Sequence, residues 1–356
     1  MSPGLGDLLV GLVVIVSLTV ASTLVHEFGH LVGAWVAGFR TMAVGIWPIV
    51  LLRPMGRPSI IRLHPRPSLG LGIVLSVPIE THDLRRRLIY VTGGGPGASL
   101  LAGVLALVGF FVLTPEPAAS SSRALFLALV AGAAGLISLM FACVTLLPVH
   151  AMTDGARLLA LLKGGQEAEV QKALSVLVGL SMRGIRPRMW DQSWIEGALA
   201  APPDSPHGLM SRQYAYEWAL DRGDVTEARR RLNEALAAAE GAEGSDRSEL
   251  YLEAAWFAAV YEGDPALARG WFGRAGTRGS AEAHVRLTAE AAVLASEGQS
   301  TLARARLKTA GELIARGRDT FGATDVARDR IAQLTEIFDL GASVSGSPES
   351  PPPRGI

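Results

Sequence analysis

The chain is predicted to be all-α dominated: a polytopic membrane core of three transmembrane helices with a small β/loop insertion, followed by a cytosolic α-helical repeat domain. Three observations carry this. Residues 1–163 carry nearly all the long apolar runs, residues 200–340 are rich in Ala, Glu and Arg, and a glycine-led pattern recurs three times in that second half. A chain of 356 residues has room for about two domains at roughly 150 residues each.

The first run, 8–39, is too long for a cleaved signal sequence, and no Lys or Arg precedes Arg40. Residues 88–113 and 124–147 are two further runs long enough to cross a hydrocarbon layer of about 30 Å. The connection 40–87 carries Arg40, Arg53, Arg57, Arg62, Arg66, Arg85, Arg86 and Arg87, whereas the link 114–123 holds Glu116 and Arg123. By the positive-inside rule the first connection is cytoplasmic, the N-terminus is outside, and everything after the third span lies in the cytosol. Within 40–87 the segments MAVGIWPIVLL, SIIRLHP and LGLGIVLSVP, punctuated by Pro and Gly, read as short strands or membrane-surface loops. A sheet edge there could hold an extended peptide by strand addition; a simple folded cytoplasmic loop fits as well.

Residues 164–210 open with a short helix and continue as a Pro-punctuated connector. In 211–340, Gly223, Gly263 and Gly298 each begin the pattern, with Ala228, Ala268 and Ala303 next, then Leu232, Phe272 and Leu307, then Ala235, Ala275 and Ala310. A glycine turn between two antiparallel helices, with small residues for close stacking, gives units similar to degenerate tetratricopeptide (TPR) repeats. Such an array offers a surface for a protein or peptide partner; a helical domain stacked only for stability is the other reading. The tail 341–356, GASVSGSPESPPPRGI, is too poor in apolar residues to pack and is expected to be disordered.

Net charge is zero, so no overall field draws the chain to nucleic acid, and none is expected as a partner. Lys occurs only at 163, 172 and 308, an Arg bias that points to a GC-rich bacterial genome and so to a bacterial cell membrane. The lone Cys143 excludes an intrachain disulfide and a multi-cysteine metal site, and reads as packing filler.

Inside the first span lies HEFGH, residues 26–30. Ionisable groups within a span usually face a cavity and mark function. On a helix, positions four apart share one face, about 6 Å apart along the axis. His26 and His30 can therefore share one zinc ion, and Glu27, on the adjoining flank, can reach a water on that ion as general base. Gly29, Gly33 and Ala37 form a small-residue stripe beside His30 that lets a second helix come close.

A catalytic zinc site wants a third protein ligand. The candidate lies in TLLPVHAMTDGARLLALL, at the cytoplasmic end of the third span. There Pro148 interrupts the helix and Asp154 begins a new one, at a depth that matches His26. Asp154 also suits a helix N-cap, and both roles can hold at once. His150 competes as a third imidazole, or serves beside the site or on the surface. The stretch GGGPGAS, residues 93–99, could be taken for a phosphate loop. It lacks the Lys-Ser/Thr ending and the preceding strand, and Gly95, Ser99 and Gly103 at spacings of four favour helix packing.

With HEFGH in the first span, GGGPGAS opening the second and LLPVHAMTDG ending the third, residues 8–163 resemble the site-2 protease family of intramembrane zinc metalloproteases. The resemblance implies one Zn2+ held by His26, His30 and Asp154, with Glu27 activating water. It also implies regulated intramembrane proteolysis, hydrolysis of a peptide bond in a membrane-tethered protein near the cytosolic face, in an integral membrane enzyme surrounded by lipid bilayer. Thr145 stands where the family usually has Asn, Ser99 where Asn often follows the G-P element, and one extra residue separates Pro148 from Asp154. In the family those Asn positions are associated with holding substrate or orienting the site, which makes Ser99 and Thr145 candidates for such roles. The same departures motivate the alternatives: a membrane-anchored helical-repeat scaffold with an inactive protease core, or a metal sensor or store.

Overall fold

A computed structural model describes residues 4–53, 59–63, 72–114, 122–149, 153–241, 247–276, 283–315 and 324–345. The chain divides into two compact units, 1–182 with 196–201, and 183–195 with 202–356.

In the first unit three apolar helices, α1 (Leu5–Val36), α2 (Leu84–Leu113) and α3 (Ser122–Leu146), are each long enough to cross a membrane. Their most apolar windows are only 11%, 17% and 22% buried, so most of their aliphatic surface faces outward, as a lipid-facing bundle requires. What holds them together is close approach at small residues. The position a Cβ would take on Gly29 is already filled by the Gly94 carbonyl oxygen and by Ala98 Cβ, and that on Gly33 by the Tyr90 carbonyl oxygen. The glycine stripe thus lets α2 pack backbone to backbone on α1. Gly103 of α2 does the same against Leu139 of α3. A buried Ser22–Ser138 hydroxyl pair at 3.0 Å joins α1 to α3.

Between α1 and α2 the chain forms an antiparallel sheet of β1 (Phe39–Ile46), β2 (Ile49–Leu52), β3 (Ile60–Leu63) and β4 (Gly72–Pro78), in the order β3-β2-β1-β4. Of the two readings of this connection, strands are what form. One face of the sheet is buried through Ala43, Val50, Leu52 and Val77. On the other, Ile49 pairs with Leu63 and Leu51 with Ile61, and Ile49, Ile61 and Leu63 are 53%, 71% and 74% exposed. Arg87 fastens the sheet to the helices, donating to the carbonyl oxygens of Ala37, Gly38, Glu80 and His82.

After α3 the chain breaks at Pro148 and resumes as α4 (Asp154–Lys163) and α5 (Gln166–Met182). Arg85 at the start of α2 donates to the Leu161 and Leu162 carbonyls, satisfying the open C-terminal end of α4. The segment expected as a connector is therefore largely helical. α5 packs on β4, where Gly179 meets Pro78 and Val77, and α6 (Gln192–Leu199) follows.

The second unit contains α7 (Pro206–Asp221), α8 (Val225–Gly241), α9 (Ser248–Phe257), α10 (Pro265–Arg274), α11 (Ala283–Ser296), α12 (Ser300–Ala315) and α13 (Thr324–Ser345). Helices α7 and α8, α9 and α10, and α11 and α12 pack as pairs. Gly223, Gly263 and Gly298 sit at the turns with φ of 79°, 64° and 78°, the left-handed region that glycine enters without a Cβ penalty. The repeated alanines are buried, Ala228, Ala268, Ala303, Ala235 and Ala310 completely. Helix α13 runs to Ser345, past the point where the tail was expected to begin; 346–356 lie outside the described residues.

The Glu217 carboxyl in α7 is pushed up to about 8 by burial, with Glu253 and Glu249 adding and Arg330 opposing. Between its ordinary value of 4.5 and about 8, the folded chain holds a proton that the unfolded chain lacks. Stability therefore falls as pH rises through that window and levels off above it. Glu217→Gln is expected to remove this slope, stabilising the domain by about 1–3 kcal/mol at pH 8.5 and not at all near pH 4, as read from thermal melts.

Candidate metal centre

His26 and His30 lie one turn apart on α1, and their Nε2 atoms are 3.2 Å from each other. Asp154, the first residue of α4, brings its Oδ2 to 3.1 Å from His26 Nε2 and 3.3 Å from His30 Nε2. The three side chains form the one His/Cys/Asp/Glu group among the described residues able to hold a metal ion. His26 is buried, whereas the His30 and Asp154 side chains are 14% and 16% exposed, so the group is partly shielded from bulk solvent.

The outer nitrogens are committed elsewhere. His26 Nδ1 lies 3.0 Å from the fully buried Ser99 hydroxyl, and His30 Nδ1 lies 2.8 Å from the Val91 carbonyl oxygen, to which it donates. With Nδ1–H of His30 donating outward, its Nε2 is left with a lone pair facing the cluster. Gly95 makes room, since a Cβ there would occupy the place of the His30 ring. Phe141 of α3 closes on His26 edge to face at 5.3 Å.

Asp154 is delivered by a local division of labour. Thr153 is the N-cap of α4, its hydroxyl accepting from the Ala156 amide at 3.3 Å, so the Asp154 carboxylate is free to face the histidines. Gly155 permits the turn, because a Cβ there would strike the Leu146 carbonyl. Burial pushes the Asp154 carboxyl up, but hydrogen bonds and charge from His26 and His30 outweigh it and hold the group well below the usual carboxylate range. Burial pulls down the guanidinium of Arg157, one turn further along α4, and the Asp154 carboxylate opposes that shift.

These residues fit a zinc ion. Protein ligands of a tetrahedral zinc at about 2.0–2.1 Å stand roughly 3.3–3.4 Å apart, and the three donor atoms here are separated by 3.1–3.3 Å. Two imidazoles and one carboxylate are a three-ligand set that leaves a fourth position for water or substrate. Glu27 stays outside this triangle, on the neighbouring flank of α1, and Gly72 at the start of β4 sits directly against its carboxylate, where a Cβ would collide with it.

Of the residues singled out from sequence, His26, His30, Asp154 and Ser99 come together here, with Glu27 alongside. Thr145 does not join them: its hydroxyl donates to the Phe141 and Ala142 carbonyls of its own helix. His150 lies outside the described residues. Sequence reasoning missed the Val91 carbonyl, Gly72 and Arg157. Only Arg157 had a visible signal, a charge one turn after Asp154 on an otherwise apolar helix.

Because Ser99 holds His26 through Nδ1, Ser99→Ala is expected to weaken zinc binding by about 10–100-fold without unfolding the core, measured by competition with a chromogenic chelator. Compared with protein-family models, with curated proteins and with solved structures, the chain matches none.

Proposed function

We propose that this protein is an intramembrane zinc metalloendopeptidase of the site-2 protease type, hydrolysing a peptide bond in a membrane-tethered protein near the cytosolic face. The observation that carries the reading is the meeting of two imidazole nitrogens and a carboxylate oxygen, 3.1–3.3 Å apart, beside a glutamate within one apolar helix. His26, His30 and Asp154 would hold the ion. When bound there, zinc supplies a Lewis acid for the scissile carbonyl and lowers the pKa of water toward about 7.

Glu27 takes the proton from the attacking water and hands it to the departing amine, so it acts first as base and then as acid. Ser99 and the Val91 carbonyl fix the imidazole rings. Strand β4 is an outer strand of its sheet, and its first residue, Gly72, lies against the Glu27 side chain. A substrate segment added to its open edge as a further strand would run its backbone past the base. The positive-inside rule, applied to the arginines of 40–87, supports a cytosolic location for this end of the bundle, with the chain after the third span on the same side of a bacterial cell membrane. The C-terminal helix pairs, read as a TPR-like array, recruit substrate or a regulatory protein.

The test is proteolysis in reconstituted vesicles. Purified protein is expected to contain one zinc per chain and to cleave a membrane-tethered reporter, with loss on chelation and recovery on adding zinc. Stoichiometric zinc without any cleavage, across a panel of single-span reporters, would favour the scaffold with an inactive core. Thr145 gives that second reading its footing, since its hydroxyl is turned back onto α3.

A further inference from the structure

Strand β4 opens on Gly72, and nothing in its own backbone calls for glycine there. Gly72 is not among the glycines with positive φ, so any residue could adopt its conformation. A glycine in a strand weakens it, and commonly marks a place where something else comes very close. Here that something is the general base. An atom at the Cβ position of Gly72 would overlap Oε1 of Glu27 and lie 2.5 and 2.6 Å from its Cγ and Cδ. Among the described residues no other glycine has a carboxylate in that place. The overlap reaches Cγ, near the root of the side chain, so swinging the tip aside would not relieve it. Carbon atoms rest about 3.5–4.0 Å apart, so the whole carboxylate would have to move by about 1 Å or more.

The other groups of the centre are held by hydrogen bonds: His26 by Ser99, His30 by the Val91 carbonyl, and Asp154 by the imidazoles. No hydrogen bond from a described residue reaches the Glu27 carboxylate. Its place is set by packing, and the strand register says which packing. Gly72 stands opposite Ile46 of β1, and Ile46 opposite Ile49 of β2, and residues directly opposite share a face. Glu27 therefore rests on the open apolar face of the sheet, not on the face buried through Ala43, Val50, Leu52 and Val77.

We propose that Gly72 is a positioning residue for the general base: with no side chain of its own, it brings the β4 backbone against Glu27 and fixes the carboxylate beside the metal ligands. The sheet is then a working part of the site, since a displacement of β4 moves the base. This rests on the proteolytic reading above. A reacting group misplaced by about 1 Å costs about 10²-fold in rate, and the loss falls on kcat when substrate binding is untouched.

Gly72→Ala is the probing change, because its two conceivable effects on stability have opposite signs. With open space at that position, alanine stabilises by restricting the unfolded chain. With Glu27 in the way, it destabilises. The full chain, zinc-free and in detergent, is melted in four forms: native, Gly72→Ala, Glu27→Ala and the double variant. Gly72→Ala is expected to lower the melting temperature by several degrees in the native background and not at all where Glu27 is replaced by alanine, since sites in contact are not additive. An equal shift in both backgrounds overturns the contact and the proposal with it. So does failure to fold in both backgrounds, whereas a single variant that fails to fold and is rescued by Glu27→Ala is the expected result in stronger form. Loaded with zinc in vesicles, Gly72→Ala is expected to keep one zinc per chain and its KM for a membrane-tethered reporter within about twofold, while kcat falls by about 10–100-fold. Loss of zinc alongside activity would overturn the positioning role. A native chain that cleaves no reporter would remove the proteolytic reading and this proposal together; a cleaving native chain matched in kcat by Gly72→Ala would remove this proposal alone.

Discussion

Glu27→Gln is expected to cut cleavage of a membrane-tethered substrate by about 10²–10⁴-fold or more, while the purified protein keeps its full complement of zinc. The substitution preserves shape, so the close contact with Gly72 and the packing of β4 are retained. It removes only the capacity to take and return a proton. Because Glu27 stands outside the triangle of His26, His30 and Asp154, metal content and activity should separate cleanly in this variant. Equal cleavage by the altered and native chains would end the enzymatic reading.

The second large effect concerns the metal itself. Asp154→Ala is expected to lower zinc affinity by more than about 100-fold, since altering groups that merely support a ligand already costs about 10–100-fold. The structure makes this variant unusually interpretable. Thr153, not Asp154, caps α4, and Arg85 closes the other end of that helix through Leu161 and Leu162, so α4 should survive. Circular dichroism unchanged from native, alongside metal content near zero, is the expected pair of results. Retention of one tightly bound zinc would remove Asp154 from the ligand set.

How much of this could be read from residues alone divides along a physical line. The spans were legible because a hydrocarbon layer demands long apolar runs, and α1, α2 and α3 fall within a few residues of those runs. His26, Glu27 and His30 were legible because helical periodicity places positions four apart on one face. Asp154 followed from the break at Pro148 and a matching of depths. The glycine turns at 223, 263 and 298 were legible because only a residue without a side chain enters that backbone region freely.

What stayed hidden is what long-range packing decides. No local pattern announces that the Val91 carbonyl will meet His30, that Gly72 will meet Glu27, or that α13 will reach back to Glu253 and Arg186. For 164–210 the sequence predicts a short opening helix followed by a Pro-punctuated connector, and the length of that helix is what packing adds. It is α5, a 17-residue helix, stabilised by burying Ala168, Ala173, Leu174 and Leu177. Nor does a local pattern say where the Thr145 hydroxyl will turn: a helical threonine can satisfy it on its own backbone, as Thr145 does on the Phe141 carbonyl.

The order of the three ligands along the chain has a mechanical corollary. Two come from the first helix and the third from beyond the last span, so a shared cation would act as a clasp across a loop of roughly 120 residues that contains the sheet and both other spans. Tying such distant points restricts the unfolded chain far more than it restricts the folded one. Chelation should therefore do more than silence the chemistry: it should make the bundle looser, with α4 the first element to part from α1.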